Sequence, residues 1–311
     1  MRLIPFIRLA GAVFLAFMIL TISCKKSSTT PPTTVIKDST VIKDSTVIKD
    51  STVYIDSILT SATLKNGLLV YLPFNGNFAD SSGNGNPTTP LGGAALGFDE
   101  HGYANSAFSG NGSSARVAVT NNGSIQFDTA FSISEDVMVL NNQSQAFATM
   151  VDRSTGQGPS FGFGMGIPSV TNLEIQVADS LLTCGTIITS SNSITDTAPL
   201  TLTPYSWYNV IATFNKGTVQ IFVNGKVMAT QTGGSSTVPL CPNAEFIIGG
   251  WWDGPGNTGS PTINGTLDEV RLYNRVLTSN EIKFLSRNFQ PGSTRLKPGI
   301  KSGKTAAINV N

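Results

Sequence analysis

The sequence is poor in the residues that hydrolases and many metal sites require. His101 is the only histidine among the 311 residues, so any Ser-His-Asp or Cys-His arrangement has to use it. A metal site with two histidines from one chain is excluded for the same reason. His101 lies in the polar, glycine-containing segment 98–103, which is typical of a loop. The sequence therefore argues against histidine-dependent catalysis.

Paired carboxylates are also lacking on any one strand face. Glu135 and Asp136 are adjacent and face opposite sides of a strand, which we interpret as strand surface chemistry. Glu174 shares its face only with Gln176 and Ala178. Hydrolysis of a glycosidic bond needs two carboxylates that point into one cleft. We therefore expect no enzyme activity, and Glu135 and Glu174 are the carboxylates to substitute first if activity is found.

Basic residues are scarce in the central part of the chain. Residues 66–288 contain 15 acidic and 8 basic side chains, which gives a net charge of −7. Nucleic acid is not an expected partner of this part, because phosphate binding needs a basic face. Residues 289–311 contain 4 basic and no acidic side chains and are expected to form a solvated, disordered tail.

The N-terminus has the pattern of a bacterial secretion signal. Arg2 and Arg8 precede the apolar run 9–22, and a cysteine follows at position 24. The segment 20–24 resembles a lipoprotein cleavage box, with Thr21 where leucine is usual. The resemblance implies that residues 1–23 are removed and that Cys24 is lipid-modified. The lipid would anchor the protein in the outer membrane, facing the periplasm or the medium. An ordinary signal peptide with a chance cysteine is the alternative.

Residues 24–65 carry a short repeat. The hexapeptide Val-Ile-Lys-Asp-Ser-Thr occurs three times between Val35 and Thr52 and then decays. Such a period is too short for a packed solenoid repeat, and the mixed charges favour a spacer between the anchor and the following domain. A thin strand or repeat-mediated self-association is the alternative.

Two cysteines remain if Cys24 is lipid-modified. Cys184 and Cys241 would then form an even pair in an oxidising compartment, so we expect a disulfide between them. Two free buried thiols are the alternative, because the distance between the Cα atoms decides whether a bridge can form.

Short β-type runs separated by Gly, Asn, Ser, Thr and Pro fill the chain up to residue 288. Asn224 and Gly225 supply the positive φ of a two-residue hairpin turn. Thr278 and Glu281 have the spacing of a capping box, which predicts a short helix through Leu285. The pattern predicts an all-β, mostly antiparallel sandwich of two sheets. The expected strands are 68–74, 115–120, 131–139, 146–152, 160–166, 173–178, 207–214, 219–223, 226–231, 245–249 and 265–273.

The last expected strand carries an aspartate among apolar residues. Regular alternation between Leu267 and Tyr273 would place Asp268 on the same face as Val270 and Leu272. That face is expected to point to the core. An ionised carboxylate there is costly unless it is hydrogen-bonded, paired or bound to a cation.

Six segments are similar, in this order, to landmarks of the laminin-G-like, concanavalin A-like jelly-roll domain of bacterial surface proteins. They are Leu69–Asn86, Phe131–Ser134, Trp207–Val210, Val223–Lys226, Phe246–Gly250 and Gly265–Tyr273. The resemblance spans residues 66–288 and implies a jelly-roll sandwich with a short C-terminal helix. The family includes lectins, glycanases, adhesion modules and spacers. Its glycanases carry two glutamates flanking an aspartate on one strand, and this chain has no such stretch.

The resemblance also implies a structural calcium ion at the edge of the sandwich. Relatives bind it between the first strand, a glycine-containing loop and an aspartate that opens the last strand. Asp268 stands at that last place, and Asn75 and Gly110 would supply further oxygens. An Asp268 that accepts backbone N–H bonds without a metal is the alternative. The loop Asp80–Asn86 could hold a second ion, or its residues could simply form a turn.

For ligand binding, we expect the segment 251–257 to contact sugars. Trp251 and Trp252 offer aromatic faces, with one side chain in the core and the other in solvent, and Asp253 and Asn257 offer groups that bind hydroxyls. The predicted function is a non-catalytic, lipid-anchored envelope protein that binds polysaccharide or a host or envelope surface protein. An adhesive or structural module without sugar specificity is the alternative, and a glycan-cleaving enzyme ranks behind both.

Overall fold

A computed structural model describes residues 61–152, 162–169, 171–179, 193–238, 244–251 and 261–289. The predicted signal peptide, Cys24, most of the spacer and most of the basic tail lie outside these ranges. The predicted disulfide pair, Cys184 and Cys241, also lies outside them. Among the described residues, no helix has the length and apolar character needed to cross a bilayer.

The described part is a sandwich of β-strands with two short α-helices, α1 (Ser61–Lys65) and α2 (Ser279–Leu285). The strands are β1 (Leu68–Leu72), β2 (Thr88–Leu91), β3 (Ala95–Gly97), β4 (Ala107–Asn111), β5 (Arg116–Thr120), β6 (Ala130–Val139), β7 (Gln145–Asp152), β8 (Phe163–Ser169), β9 (Asn172–Ala178), β10 (Ser193–Pro199), β11 (Trp207–Asn215), β12 (Thr218–Val223), β13 (Lys226–Thr232), β14 (Ala244–Ile248) and β15 (Asn264–Tyr273). The predicted all-β class is confirmed.

The strands pair in two antiparallel sheets. The first sheet has the order β13–β12–β11–β6–β15–β4–β3, and β1 also pairs with β15. The second sheet has the order β10–β9–β8–β7–β14–β5–β2. Along one edge, β15 therefore has two successive partners: residues 264–267 pair with β4, and residues from Val270 onward pair with β1. This change of partner positions the first candidate site.

Alternate apolar side chains of both sheets meet in one core. On β6, Phe131, Ile133, Val137 and Val139 point inward and are fully buried. Phe131 stacks on Phe163 of the second sheet, with ring centroids 4.8 Å apart. Burial of these large side chains is the main favourable term for a sandwich of this kind.

Two local predictions are confirmed by the backbone. Asn224 and Gly225, between β12 and β13, have φ values of 49° and 75°, as a two-residue hairpin turn of this type requires. Thr278 caps α2 by accepting the backbone N–H of Glu281, and the Glu281 side chain accepts the backbone N–H of Thr278. Turn and cap chemistry is encoded within a few residues, so the sequence alone reveals it.

Helix α2 packs on the outer face of the first sheet. Its buried residues Ile282 and Leu285 form a second apolar cluster with Tyr273 of β15 and Ile211 of β11. This cluster is separate from the core between the sheets. The helix therefore covers part of a face that would otherwise be exposed.

Four strands escape the sequence pattern. β2 contains Pro90 at a sheet edge, and β3 has only three residues, so neither has a strong strand signal. β4 contains Gly110, which we expected in a loop, and β10 contains Asp196 and ends at Pro199. Gly110 pairs with Gly265 of β15. A Cβ on Gly110 would lie 2.3 Å from the carbonyl oxygen of Ile263. The glycine thus permits close backbone packing.

Candidate functional site

Asp268 lies where β15 exchanges one partner strand for another. Leu267 is the last residue paired with β4, and Val270 pairs with Leu72 of β1. The register against β6 also shifts at this point, and Glu269 has a φ of 52°. These features define a β-bulge, which inserts a residue and re-aims the side chains around it.

The bulge turns Asp268 away from the core. Leu267, Val270 and Leu272 all belong to the core cluster, whereas Asp268 and Glu269 line a cavity on the other side of the sheet. The predicted core-facing row of Asp268, Val270 and Leu272 is therefore wrong. The physical reason is that one extra residue reverses the alternation of faces along a strand.

The cavity beside Asp268 has a volume of about 1120 Å³. It is lined by Asn75, Gly76, Asp99, Glu100, His101, Tyr103, Ala104, Asn105, Ser106, Asp136, Asp268, Glu269, Arg271, Phe284, Leu285 and Arg287. Carboxylate oxygens of Asp99, Glu100 and Asp268 lie within 4.8 Å of one another. An all-oxygen donor set at this spacing suits a hard cation such as Ca²⁺.

The fold brings two of the three predicted calcium ligands to this cavity. Asp268 and Asn75 both line it, whereas Gly110 lies within β4 and is not part of the lining. Asp99 and Glu100 supply the other carboxylates, although the sequence placed them in a polar loop without a role. No local signal connects them to Asp268, because the segments come together through the pairing of β3 with β4 and of β4 with β15.

The ionised forms of the buried carboxylates in the cavity are disfavoured. Burial raises the pKa of Asp268 to about 10, and the charges of Glu269, Glu100 and Asp136 act in the same direction. One Asp268 oxygen accepts the backbone N–H of Glu269 at 2.8 Å. Burial also raises the pKa of Asp136 well above its usual range, although Asn209 donates to it at 2.7 Å. A bound cation would stabilise the charged forms and offset this cost.

Glu269 forms an ion pair with a basic side chain of the protein. Its carboxylate pairs with Arg271 and accepts a hydrogen bond from the Tyr71 hydroxyl at 2.9 Å. The Arg271 guanidinium also lies over the Tyr71 ring, 4.1 Å from its centroid. The charge of Glu269 is thus balanced, so cation binding in the cavity depends on the other carboxylates.

The second loop that we considered for a metal forms a hydrogen-bonded turn. The Asp80 carboxylate accepts bonds from the backbone N–H groups of Tyr71, Ser82 and Asn86. It also accepts bonds from the Ser82 hydroxyl and the Asn86 amide, both at 2.8 Å. These bonds occupy the carboxylate and favour the turn interpretation.

Trp251 lies on the outer face of the second sheet. It packs against an apolar cluster of Ala118, Val151 and Ile247, which is separate from the core. Its backbone N–H donates to the carbonyl of Pro261 at 3.3 Å. Trp251 is therefore held in position while part of its ring stays exposed.

A groove of about 270 Å³ runs beside Trp251 across β7, β8 and β9. Gly164 and Gly166 of β8 leave this face without side chains, and Glu174 of β9 lies directly opposite Gly166. A Cβ on Gly164 would lie 2.5 Å from the Trp251 ring, so glycine is needed for the ring to lie over β8. The lining residues are Ser144, Gln145, Ala146, Gly164, Gly166, Pro168, Glu174, Trp251 and Pro261.

The polar atoms of the groove are few. Gln145 is committed to the fold, because it accepts the backbone N–H of Asn264 at 2.8 Å and donates to the carbonyl of Asn141 at 2.7 Å. The other polar groups are the exposed hydroxyl of Ser144 and the carboxylate of Glu174, which accepts a side-chain hydrogen bond from Thr197 and has further lone pairs for a ligand. Partial burial raises the pKa of Glu174.

Of the predicted sugar-contacting residues, only Trp251 is described. Trp252, Asp253 and Asn257 lie outside the described residues. Gly164 and Gly166 were not among the predicted site residues, although alternation along Phe163-Gly-Met-Gly166 places both glycines on one face.

The two glutamates singled out from the sequence lie far apart in the architecture. Glu135 faces the core between the sheets and is fully buried, so its interpretation as surface chemistry is wrong. Glu174 lines the groove on the outer face of the second sheet. The two carboxylates therefore do not flank one cleft.

Solved structures with a similar fold include binding domains of several toxins. A structure from work on botulinum neurotoxin type C, whose cell entry depends on interaction with two ganglioside molecules, is also similar. Its TM-score is 0.52 with 18% identity over 75% of this chain and 54% of that chain. The binding domain of Paraclostridial Mosquitocidal Protein 1 has a TM-score of 0.54 with 17% identity over 73% and 53%. The ligand-binding domain of botulinum neurotoxin serotype D, in complex with N-acetylneuraminic acid, has a TM-score of 0.51 with 13% identity over 72% and 52%.

At these identities the similarity defines the fold, a jelly-roll sandwich shared with toxin binding domains. The chain spans about half the length of those chains. A laminin G family model, described as the concanavalin A-like lectin/glucanases superfamily, matches residues 109–283, which is more than half of the chain. The chain therefore belongs to this superfamily, as the sequence resemblance implied. No curated protein sequence matches it.

Proposed function

We propose that the chain is a non-catalytic carbohydrate-binding module and that sugars bind in the groove beside Trp251. The observation that carries the proposal is the partly exposed Trp251 ring held over Gly164, with the Glu174 carboxylate across the groove. Aromatic faces stack on the apolar faces of sugar rings, and carboxylate oxygens accept hydrogen bonds from hydroxyl groups. The toxin domains with the same fold support the proposal, because two of them are described with gangliosides or N-acetylneuraminic acid.

A binding role is favoured over catalysis by the carboxylates. Hydrolysis of glycosides usually requires two carboxyl groups roughly 5–10 Å apart around the scissile bond. Among the described residues that line the groove, Glu174 contributes the one carboxylate. The arrangement thus supports recognition of a glycan without its cleavage.

We expect Trp251→Leu to weaken glycan binding at least tenfold. Leucine keeps apolar contact with the cluster beneath but removes the aromatic face on which a sugar ring would stack. A glycan array of plant, host and bacterial polysaccharides identifies the ligand, and titration calorimetry with the best binder measures the loss. Phe98→Ala is the matched control, because Phe98 is an aromatic residue that is 63% exposed and does not line the groove.

Three outcomes would count against the proposal. Binding that survives Trp251→Leu would remove the groove as the site. Absence of any glycan binding, together with binding to an envelope protein, would favour the adhesive alternative. Release of reducing sugar that is lost in Glu174→Gln or Glu135→Gln would establish catalysis.

We further propose that the acidic cavity holds a structural Ca²⁺ ion. Asp99, Glu100 and Asp268 would provide carboxylate oxygens, and Asn75 would provide an amide or carbonyl oxygen. The donor set fits a hard cation, and Asp268 is only 4% exposed, where an ionised carboxylate needs a compensating charge. When bound, the ion would reduce the negative charge of the cavity and connect the loop before β4 to β15.

We also propose that Cys24 carries a lipid that anchors the protein in the outer membrane. The basic residues, the apolar run and the box ending at Cys24 support this proposal. Metabolic labelling with a radioactive fatty acid should label the wild-type protein, and Cys24→Ser should abolish the label and release the protein from the membrane fraction. Equal labelling of the two proteins would contradict it.

A further inference from the structure

The groove beside Trp251 has an asymmetric charge. Of the described residues that line it, Glu174 is charged and the others are neutral. Arg116 lies on the same face of the sheet, but its side chain packs against Gly250 and does not belong to the lining. A ligand in the described part of the groove therefore meets a negative group without a balancing cation.

The separation of Trp251 and Glu174 along the groove determines how many sugar rings could contact both. Trp251 lies over Gly164, and Glu174 lies opposite Gly166, two residues further along β8. Alternate residues of a strand are roughly 7 Å apart, so the aromatic face and the carboxylate are spaced for contact with one sugar ring or two linked rings. The glycines between them keep the floor of the groove free of side chains.

The Glu174 carboxylate would repel an anionic sugar in the groove and attract hydroxyl groups. Glu174 is partly buried, and charges in such a setting interact more strongly than they do in bulk water. A sialic or uronic acid bound next to it would place two carboxylates close together. The hydroxyl groups of a neutral sugar would instead donate favourable charge-assisted hydrogen bonds to Glu174.

We propose that the groove selects uncharged sugars over anionic ones and that the Glu174 carboxylate determines this selectivity. The inference rests on the proposed function, because it requires that glycans bind in the groove. It adds the class of ligand, namely neutral hexose or pentose units with free hydroxyl groups. It also makes Glu174 the specificity-determining residue, while Trp251 contributes affinity for either class.

The test uses the purified full-length chain and paired glycans with the same backbone, one neutral and one carrying a sialic or glucuronic acid. Wild type should bind the neutral member at least tenfold more tightly. Glu174→Lys should increase affinity for the anionic member at least tenfold and weaken binding of the neutral one. Glu174→Gln should weaken neutral binding a few-fold and reduce the discrimination. Higher ionic strength should also reduce it, since screening weakens charge repulsion.

Asp128→Lys is the matched control. Asp128 is exposed and does not line the groove, so its substitution changes the net charge by the same amount without altering the site. Gain of anionic binding in this variant as well would show a global charge effect and overturn the role of Glu174. Equal binding of both glycan classes, unaffected by Glu174→Lys but lost in Trp251→Leu, would overturn the selectivity and leave the proposed function intact. No binding to any glycan would overturn both.

Discussion

Glu135→Leu should raise the free energy of unfolding at pH 7 by about 3 kcal/mol. Glu135 lies on the inward row of β6 between Ile133 and Val137, opposite Val210 of β11. It is 0% exposed, and neither of its carboxylate oxygens has a hydrogen-bond partner among the described residues. Burial raises the pKa of Glu135 to about 8, and the neighbouring Asp136 acts in the same direction.

The penalty should depend on pH with a definite sign. Below the unfolded pKa of about 4.5, Glu135 is protonated in both states and contributes nothing to the pH dependence. Between about 4.5 and 8, the folded chain keeps a proton that the unfolded chain has lost, so stability falls by about 1.4 kcal/mol per pH unit. Above the folded pKa the loss is complete.

Urea unfolding of wild type and Glu135→Leu at several pH values between 5 and 9 measures this contribution. The difference between the two proteins isolates Glu135 from other buried carboxyls, which also destabilise the fold as pH rises. Glu135→Gln is the matched control: it should abolish the pH dependence but gain less stability, because a buried amide without partners remains. A difference that stays constant with pH would contradict the prediction.

Calcium should stabilise the wild-type protein by about 4 kcal/mol at a thousandfold excess over its Kd. The ion would hold Asp268 in its ionised form, whereas burial without a cation raises the pKa of Asp268 to about 10. In EDTA, Asp268 should therefore lower stability as pH rises above its unfolded pKa of about 3.8. Saturating calcium should abolish this decline, and calcium affinity should rise with pH because protons compete for the site.

Asp268→Asn should remove the response to calcium and, in EDTA, should be at least as stable as wild type, because it no longer buries an acid. Thermal unfolding with and without calcium, combined with elemental analysis of the purified protein, measures both effects. Asp80→Asn is the control: it breaks a hydrogen-bonded turn and should destabilise the fold without changing the calcium response. If EDTA has no effect on wild type and no calcium is found, the metal proposal fails and a protonated or hydrogen-bonded Asp268 stands.

For both Glu135 and Asp268, the environment predicted from the sequence differs from the one in the structure. Alternation placed Glu135 and Asp136 on opposite faces correctly, but surface chemistry was the wrong interpretation for Glu135. Its burial follows from the apolar residues at positions 131, 133, 137 and 139, which lie on the same face of the strand as Glu135. For Asp268 the same rule of alternation gave the wrong face, because a bulge is a local departure that depends on partner strands.

The sequence by itself determined the strands with strong alternation, the Asn224-Gly225 hairpin, the capping box at Thr278 and the family. These features depend on residue spacing and turn chemistry within a few positions, so no distant contact is needed to specify them.

The tertiary structure alone decided which side chains meet at the candidate sites. Asp99 and Glu100 lie near Asp268 because they follow β3, which pairs with β4, and β4 pairs with the first half of β15. Glu174 and Trp251 share a groove because β8 and β9 lie beside β7 and β14. These contacts depend on long-range strand pairing and its register, because a register shift of one residue exchanges the two faces of a strand.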